Sequence, residues 1–160
     1  GWVSSSAIAI LRTSCQFITY LISLNLLLRY RVMAINKNMP ILIVDDYKTM
    51  LRIVRGLLNQ LGFANIDEAT DGAMAWDMVQ RKQYGLIVSD WNMEPMSGFE
   101  FLKLVRTNEA TKQLPFIMVT AESKTENIIA AKQAGVSNYI VKPFNAQTLK
   151  QKLEAVFGAF

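Results

Sequence analysis

The chain has 160 residues, with 17 Lys and Arg against 13 Asp and Glu, no histidine and one cysteine, Cys15. At about 100–200 residues per domain, that length supports one hydrophobic core of two or three layers. Lack of histidine excludes a Ser-His-Asp or Cys-His nucleophile system, a His-bearing zinc site and an internal phosphohistidine. A single cysteine excludes an intramolecular disulfide and fits a reducing compartment, so a cytoplasmic location is expected.

The formal charge of +4 is unevenly placed. Residues 1–39 carry Arg12, Arg29, Arg31 and Lys37 and no acid, while the remaining 13 bases face 13 acids over residues 40–160. A nucleic-acid-binding domain would cluster its bases on a structured face, so no nucleic-acid partner is expected. The leader and the main body therefore divide as 1–38 and 39–160. Between Arg12 and Arg29 the leader runs TSCQFITYLISLNLLL, 16 residues without a charge. A membrane-spanning helix needs about 20 apolar residues, and six polar side chains interrupt this run. Three readings stay open: upstream translation or residues added in cloning, a membrane-associating helix, or a signal segment, though Leu28-Arg29-Tyr30 offers no small-residue cleavage site. A membrane partner is expected only if the leader is native.

From Pro40 onward short apolar runs alternate with helical patterns. ILIV (41–44) reads as a buried strand, followed by Met50, Leu51, Val54, Leu57, Leu58 and Leu61 at helical spacing and closed by Gly62. Asn65–Glu68 is a weak second strand and Gly72–Gln80 a second helix. Gly85–Ser89 is a third strand and Gly98–Arg106 a third helix. Phe116–Val119, Thr125–Gln133, Tyr139–Val141 and Ala146–Phe157 complete the series, with Asn145 expected to cap the last helix. Five strands alternating with five helices predict a parallel, doubly wound sheet covered on both faces, with chemistry at the carboxyl ends of its strands.

Asp45 and Asp46 follow the first strand, Asp90 the third, Thr120 the fourth, and Lys142 with Pro143 the fifth. Singly, each has an ordinary reading: helix N-cap for an Asp, strand end for Thr120, exposed turn residue for Lys142. Together, three carboxylates and one ammonium leave a local charge of −2, which a hard divalent ion such as Mg²⁺ neutralises through oxygen ligands. That arrangement suits phosphoryl transfer to a carboxylate: Asp45 and Asp46 on the metal, Asp90 as nucleophile, Lys142 and Thr120 on the phosphoryl oxygens. No side chain here is an evident general base, so slow hydrolysis of the acyl phosphate is expected rather than enzymatic turnover. A metal-dependent phosphatase with an aspartyl nucleophile would want an acid two residues beyond it, where Asn92 stands.

ILIVDD, VSDWNM, IMVTAESKTENIIAAKQAG and YIVKPF resemble the CheY-type family of single-domain chemotaxis response regulators over essentially all of residues 40–160. The resemblance implies the flavodoxin-like strand order, which the pattern alone does not give. It implies that Asp46 and Asp90, with the backbone carbonyl of Asn92, bind Mg²⁺ and that Asp45 supports the ion through water. Asp90 would then accept a phosphoryl group from a CheA-like histidine kinase, Thr120 and Lys142 would contact it, and Lys142-Pro143 would be a cis peptide. Tyr139 would turn inward as Thr120 moves. The fourth helix, fifth strand and fifth helix would form the output face, with Ile128, Lys132, Tyr139 and Lys152 as candidates, and the flagellar motor switch as target. A phosphatase is a further expected partner, and a phosphate sink or phosphorelay receiver without motor output is the alternative function. WNMEPMSG departs from the family pattern by placing Glu94 before Pro95, which puts the loop beside Asp90 and its partner contacts in question.

Overall fold

The strands form because three runs of apolar residues are long enough to be buried on both faces. In the computed structural model, which describes residues 35–121 and 125–160, these are β1 (Ile41–Val44), β3 (Leu86–Asp90) and β4 (Phe116–Thr120), buried at every position. More polar, β2 (Ile66–Ala69) and β5 (Asn138–Val141) take the two edges. All pairs are parallel, as the alternation of strands and helices predicts, and the order is β2-β1-β3-β4-β5, the one the family resemblance implies. The helices are α1 (Lys48–Gln60), α2 (Gly72–Arg81), α3 (Gly98–Thr107), α4 (Thr125–Gln133) and α5 (Ala146–Phe157). Residues 36–159 make one compact unit. The expected leader, with its three readings, lies outside the described residues apart from its last few positions. Among the described residues no helix is long and apolar enough to cross a membrane.

Helix ends follow local chemistry. Gly62, at φ +91°, takes the left-handed conformation after α1, and the Gly62 and Phe63 N–H groups donate to Asn59 and Leu58 carbonyls. Asp71 caps α2 by accepting from Ala73 and Met74 N–H, and Asn145 caps α5 through Thr148 N–H as expected. Ser97 and Glu100 form a reciprocal capping box at the start of α3. By contrast the N-cap position of α1 is Tyr47, with no side-chain cap, so neither Asp45 nor Asp46 serves as its N-cap.

Three strand ends extend one residue beyond the sequence expectation: β2 includes Ala69 and, at the site, β3 includes Asp90 and β4 includes Thr120. The ladder carries on because Asp90 pairs with Val119 and Thr120 with Val141, which the polarity of the two side chains conceals. The weak β2 pattern also has a physical cause. Its acids lie at a sheet edge, where Arg55 of α1 binds Glu68 at 2.6 Å and the Ile66 carbonyl at 3.1 Å. Asp67 accepts from Lys82 Nζ and Tyr84 Oη, each at 2.7 Å, which blunts the open edge with charge.

The hydrogen bonds from Lys82 and then Tyr84 hold the Asp67 carboxyl below its usual range. A group lowered on folding stabilises the native state above its unfolded pKa of about 3.9, and that stability disappears as pH falls through the folded value. Asp67→Asn is expected to flatten the acid side of the stability curve below about pH 5, read from urea midpoints. Parallel curves for the two proteins would refute the linkage.

Candidate functional site: an acid pocket bridged by one lysine

The ends of β1, β3 and β5 bring together what the sequence separates by up to 97 positions. Lys142 Nζ donates to Asp90 Oδ1 at 2.8 Å and to Asp45 Oδ2 at 2.9 Å. Asp45 and Asp90 are buried, at 5% and 8% exposure, whereas Asp46 is exposed. One carboxylate oxygen from each of Asp45, Asp46 and Asp90 lies within 4.8 Å of the others. The remaining oxygens are also directed: Asp45 Oδ1 accepts from Tyr47 N–H at 2.9 Å, and Asp90 Oδ2 from Asn92 N–H at 3.1 Å. Lys142 is fixed by its backbone, since its N–H donates to the Thr120 carbonyl at 2.8 Å.

Burial raises the pKa of Asp90, and the nearby charge of Asp45 adds to it, while Lys142 and the Asn92 N–H oppose the rise; the net direction is upward. For Lys142, burial would lower the pKa, but the hydrogen bonds and charges of Asp90 and Asp45 outweigh it and hold the ammonium above its ordinary value. Asp90 is thus a more basic carboxylate than a surface aspartate, kept beside an ammonium donor. Three hard oxygen donors around one ammonium leave −2, and this donor set fits a small divalent ion.

Thr120 is fully buried at the end of β4. Met118 is in register with Tyr139, so by alternation Thr120 and Tyr139 share one face of the sheet. Tyr139 is itself buried and part of the core cluster against which Ile128 packs. Of the other output-face candidates, Lys132 is exposed and Lys152 half-buried. Asn92 is exposed, adjacent to the pocket. Both Lys142-Pro143 and Glu94-Pro95 are cis peptides; the second was not expected.

Sequence reasoning missed Gly98. A Cβ there would overlap the carbonyl oxygen of Asp90 and press on Ser89 Oγ, and the Gly98 N–H donates to the Trp91 carbonyl at 2.9 Å. The first turn of α3 therefore rests on the backbone of the buried aspartate. The helix start at Gly98 was expected from the sequence and the Ser97-x-x-Glu100 box fits it, but only the tertiary packing shows why position 98 must lack a side chain.

Five parallel strands carrying this lysine-bridged acid pocket at their carboxyl ends define a receiver-type signalling domain. Residues 41–154 match the model of the response regulator receiver domain. The chain is 54% identical over 123 residues to chemotaxis protein CheY-3 of Vibrio cholerae, spanning 77% of this chain and 95% of that one. It is 52% identical over 119 residues to chemotaxis protein CheY of Pseudomonas aeruginosa, spanning 74% and 96%. Among solved structures, chemotaxis protein CheY4 of Vibrio cholerae superposes with a TM-score of 0.69 at 35% identity, covering 74% of this chain and 98% of that one. The receiver domain of the sensor histidine kinase PA1611 from Pseudomonas aeruginosa, solved with a magnesium ion in its active-site cleft, gives 0.69 at 25% identity over 76% and 99%. The chain belongs to the response regulator receiver family and, within it, to the CheY-type regulators of two-component chemotaxis signalling.

Gly98→Ala should cost about 1–3 kcal/mol or more in a urea titration, through overpacking at the Asp90 backbone. It should also shift the Asn92 amide resonance. Wild-type stability with an unmoved amide would show that α3 does not press on the pocket.

Proposed function

We propose that Asp90 is the phosphoacceptor of this regulator, with a CheA-like histidine kinase as donor and the flagellar motor switch as the protein target. The observation that carries the reading is the Lys142 ammonium held between Asp90 and Asp45 at 2.8 and 2.9 Å. It keeps a basic, buried carboxylate charged and stands where negative charge develops on an incoming phosphoryl group. In the transfer, a carboxylate oxygen of Asp90 forms a bond to phosphorus while the phosphorus–nitrogen bond of the donor phosphohistidine breaks. The leaving imidazole takes a proton as it departs. Lys142 passes from the Asp90 carboxylate to a phosphoryl oxygen, and the Thr120 hydroxyl, at the neighbouring strand end, is assigned to another of them.

Asp46, Asp90 and the backbone carbonyl of Asn92 would hold Mg²⁺, with Asp45 acting through water. A bound Mg²⁺ supplies electrostatic stabilisation of the phosphoryl oxygens. The hard-oxygen donor set and its residual −2 charge support this assignment. For the output, phosphorylation shifts a two-state equilibrium in which Thr120 and Tyr139 move together, and the exposed parts of α4, β5 and α5 carry the change to the partner. Sequence identity above 50% to proteins named for chemotaxis supports a chemotaxis target over a phosphate sink.

With a small acyl phosphate as donor and Mg²⁺ present, the wild-type protein is expected to incorporate close to one phosphoryl group per chain and Asp90→Asn none. Equal incorporation by Asp90→Asn would overturn the assignment. Binding to motor-switch protein should rise on phosphorylation; equal retention of both forms would remove the motor target. In a Trp2→Phe, Trp76→Phe background, Trp91 fluorescence should change as Mg²⁺ is added, and Asp46→Asn should move that transition to a higher concentration. A flat signal while calorimetry reports Mg²⁺ binding would place the ion elsewhere.

A further inference from the structure

Between β3 and α3 lies a stack of side chains that neither ligates metal nor reaches the phosphoryl oxygens in the mechanism above. The Trp91 and Phe99 rings lie nearly parallel, with centroids 4.9 Å apart and planes inclined by 13°. One turn further along α3, Lys103 places its ammonium 4.3 Å from the Phe99 centroid. Phe99 sits at the second position of α3, whose start is pinned by the Ser97–Glu100 capping box and by the Gly98 N–H on the Trp91 carbonyl. Trp91 in turn donates its own N–H to the Val119 carbonyl at 3.0 Å.

Trp91 is the one residue between Asp90 and the Asn92 N–H that bonds its carboxylate. Any rotation of the Trp91 backbone would swing that N–H away from Asp90 Oδ2. The indole is only partly buried, so it depends on the ring it stacks against as well as on the core beneath it. We infer that Phe99 is a positioning residue for Asp90: by stacking on Trp91, and backed by Lys103, it holds the 90–92 backbone so that the Asn92 N–H stays on the Asp90 carboxylate. The consequence for phosphoryl transfer rests on the phosphoacceptor reading above, whereas the geometric claim does not.

Amide hydrogen exchange followed by NMR tests the two separately. Phe99→Ala and Phe99→Leu, the latter keeping apolar volume without a ring face, should each speed exchange of the Asn92 amide by about 2- to 10-fold. Phe99→Tyr, which keeps the stack, should stay within about twofold of wild type. Val79→Ala removes a buried contact in α2 away from the stack and serves as the control for general loosening. An Asn92 amide unchanged in both Phe99→Ala and Phe99→Leu, or accelerated equally by Val79→Ala, would overturn the positioning role. Labelling of Asp90 by a small acyl phosphate should slow by a similar factor in Phe99→Ala and recover in Phe99→Tyr. Faster Asn92 exchange in a protein whose wild type takes no label would uphold the positioning and refute the phosphoacceptor reading instead.

Discussion

Two carboxylates can be buried side by side here because one ammonium lies between them. Without Lys142, Asp45 and Asp90 would face each other at low exposure with only single backbone N–H donors for compensation. Removing one partner from such a buried cluster costs on the order of 3–5 kcal/mol, far more than a surface ion pair. The bridge also divides the labour of the pocket. It takes one oxygen from each buried acid, while Asp46 stays exposed with a carboxylate oxygen within 4.8 Å of theirs.

The sheet order makes this bridge available. β5 lies two strands from β3, a separation of about 10 Å, and β1 is one strand further on. Only a long, flexible cationic side chain at the end of β5 reaches both acids. The ladder bond from the Lys142 N–H to the Thr120 carbonyl aims it by tying the residue after β5 to the last residue of β4. Thr120 is therefore coupled to Lys142 through the backbone and to Tyr139 through the shared sheet face. These are the connections a phosphorylation-dependent switch would use. On the other side of the pocket, α3 pushes its first turn against the Asp90 carbonyl, and the Trp91–Phe99 stack continues that support outward.

Much of this was legible in the residues. ILIV, GLIVS and FIMV announce strands buried on both faces, and the polar residues that follow them mark the functional edge. The pair Asp45-Asp46, together with Asp90, Thr120 and Lys142, stood out because ordinary readings for each alone do not account for their joint placement at strand ends. The strand order needed the family resemblance, since alternating strands and helices are compatible with several parallel orders. Edge strand β2 was hard to see because its acids are satisfied by Arg55, Lys82 and Tyr84, partners 13 to 17 positions away in sequence. Gly98 and Phe99 were invisible for the same reason. Their meaning lies in contacts with the Asp90 backbone and the Trp91 ring, which no local pattern encodes. Tyr139 read as both a switch residue and a surface residue, and the register of β5 against β4 places its ring in the core.

The central claim is that the lysine-bridged carboxylate of Asp90 is the atom group that takes the phosphoryl load. An aspartyl phosphate is reduced by borohydride to homoserine, so the site can be read directly as a residue change by peptide mass spectrometry after treatment with a small acyl phosphate and Mg²⁺. Homoserine at position 90 and at no other aspartate is the predicted result. Homoserine at position 45 or 46, or a fully phosphorylated protein with aspartate intact at position 90, would contradict the account.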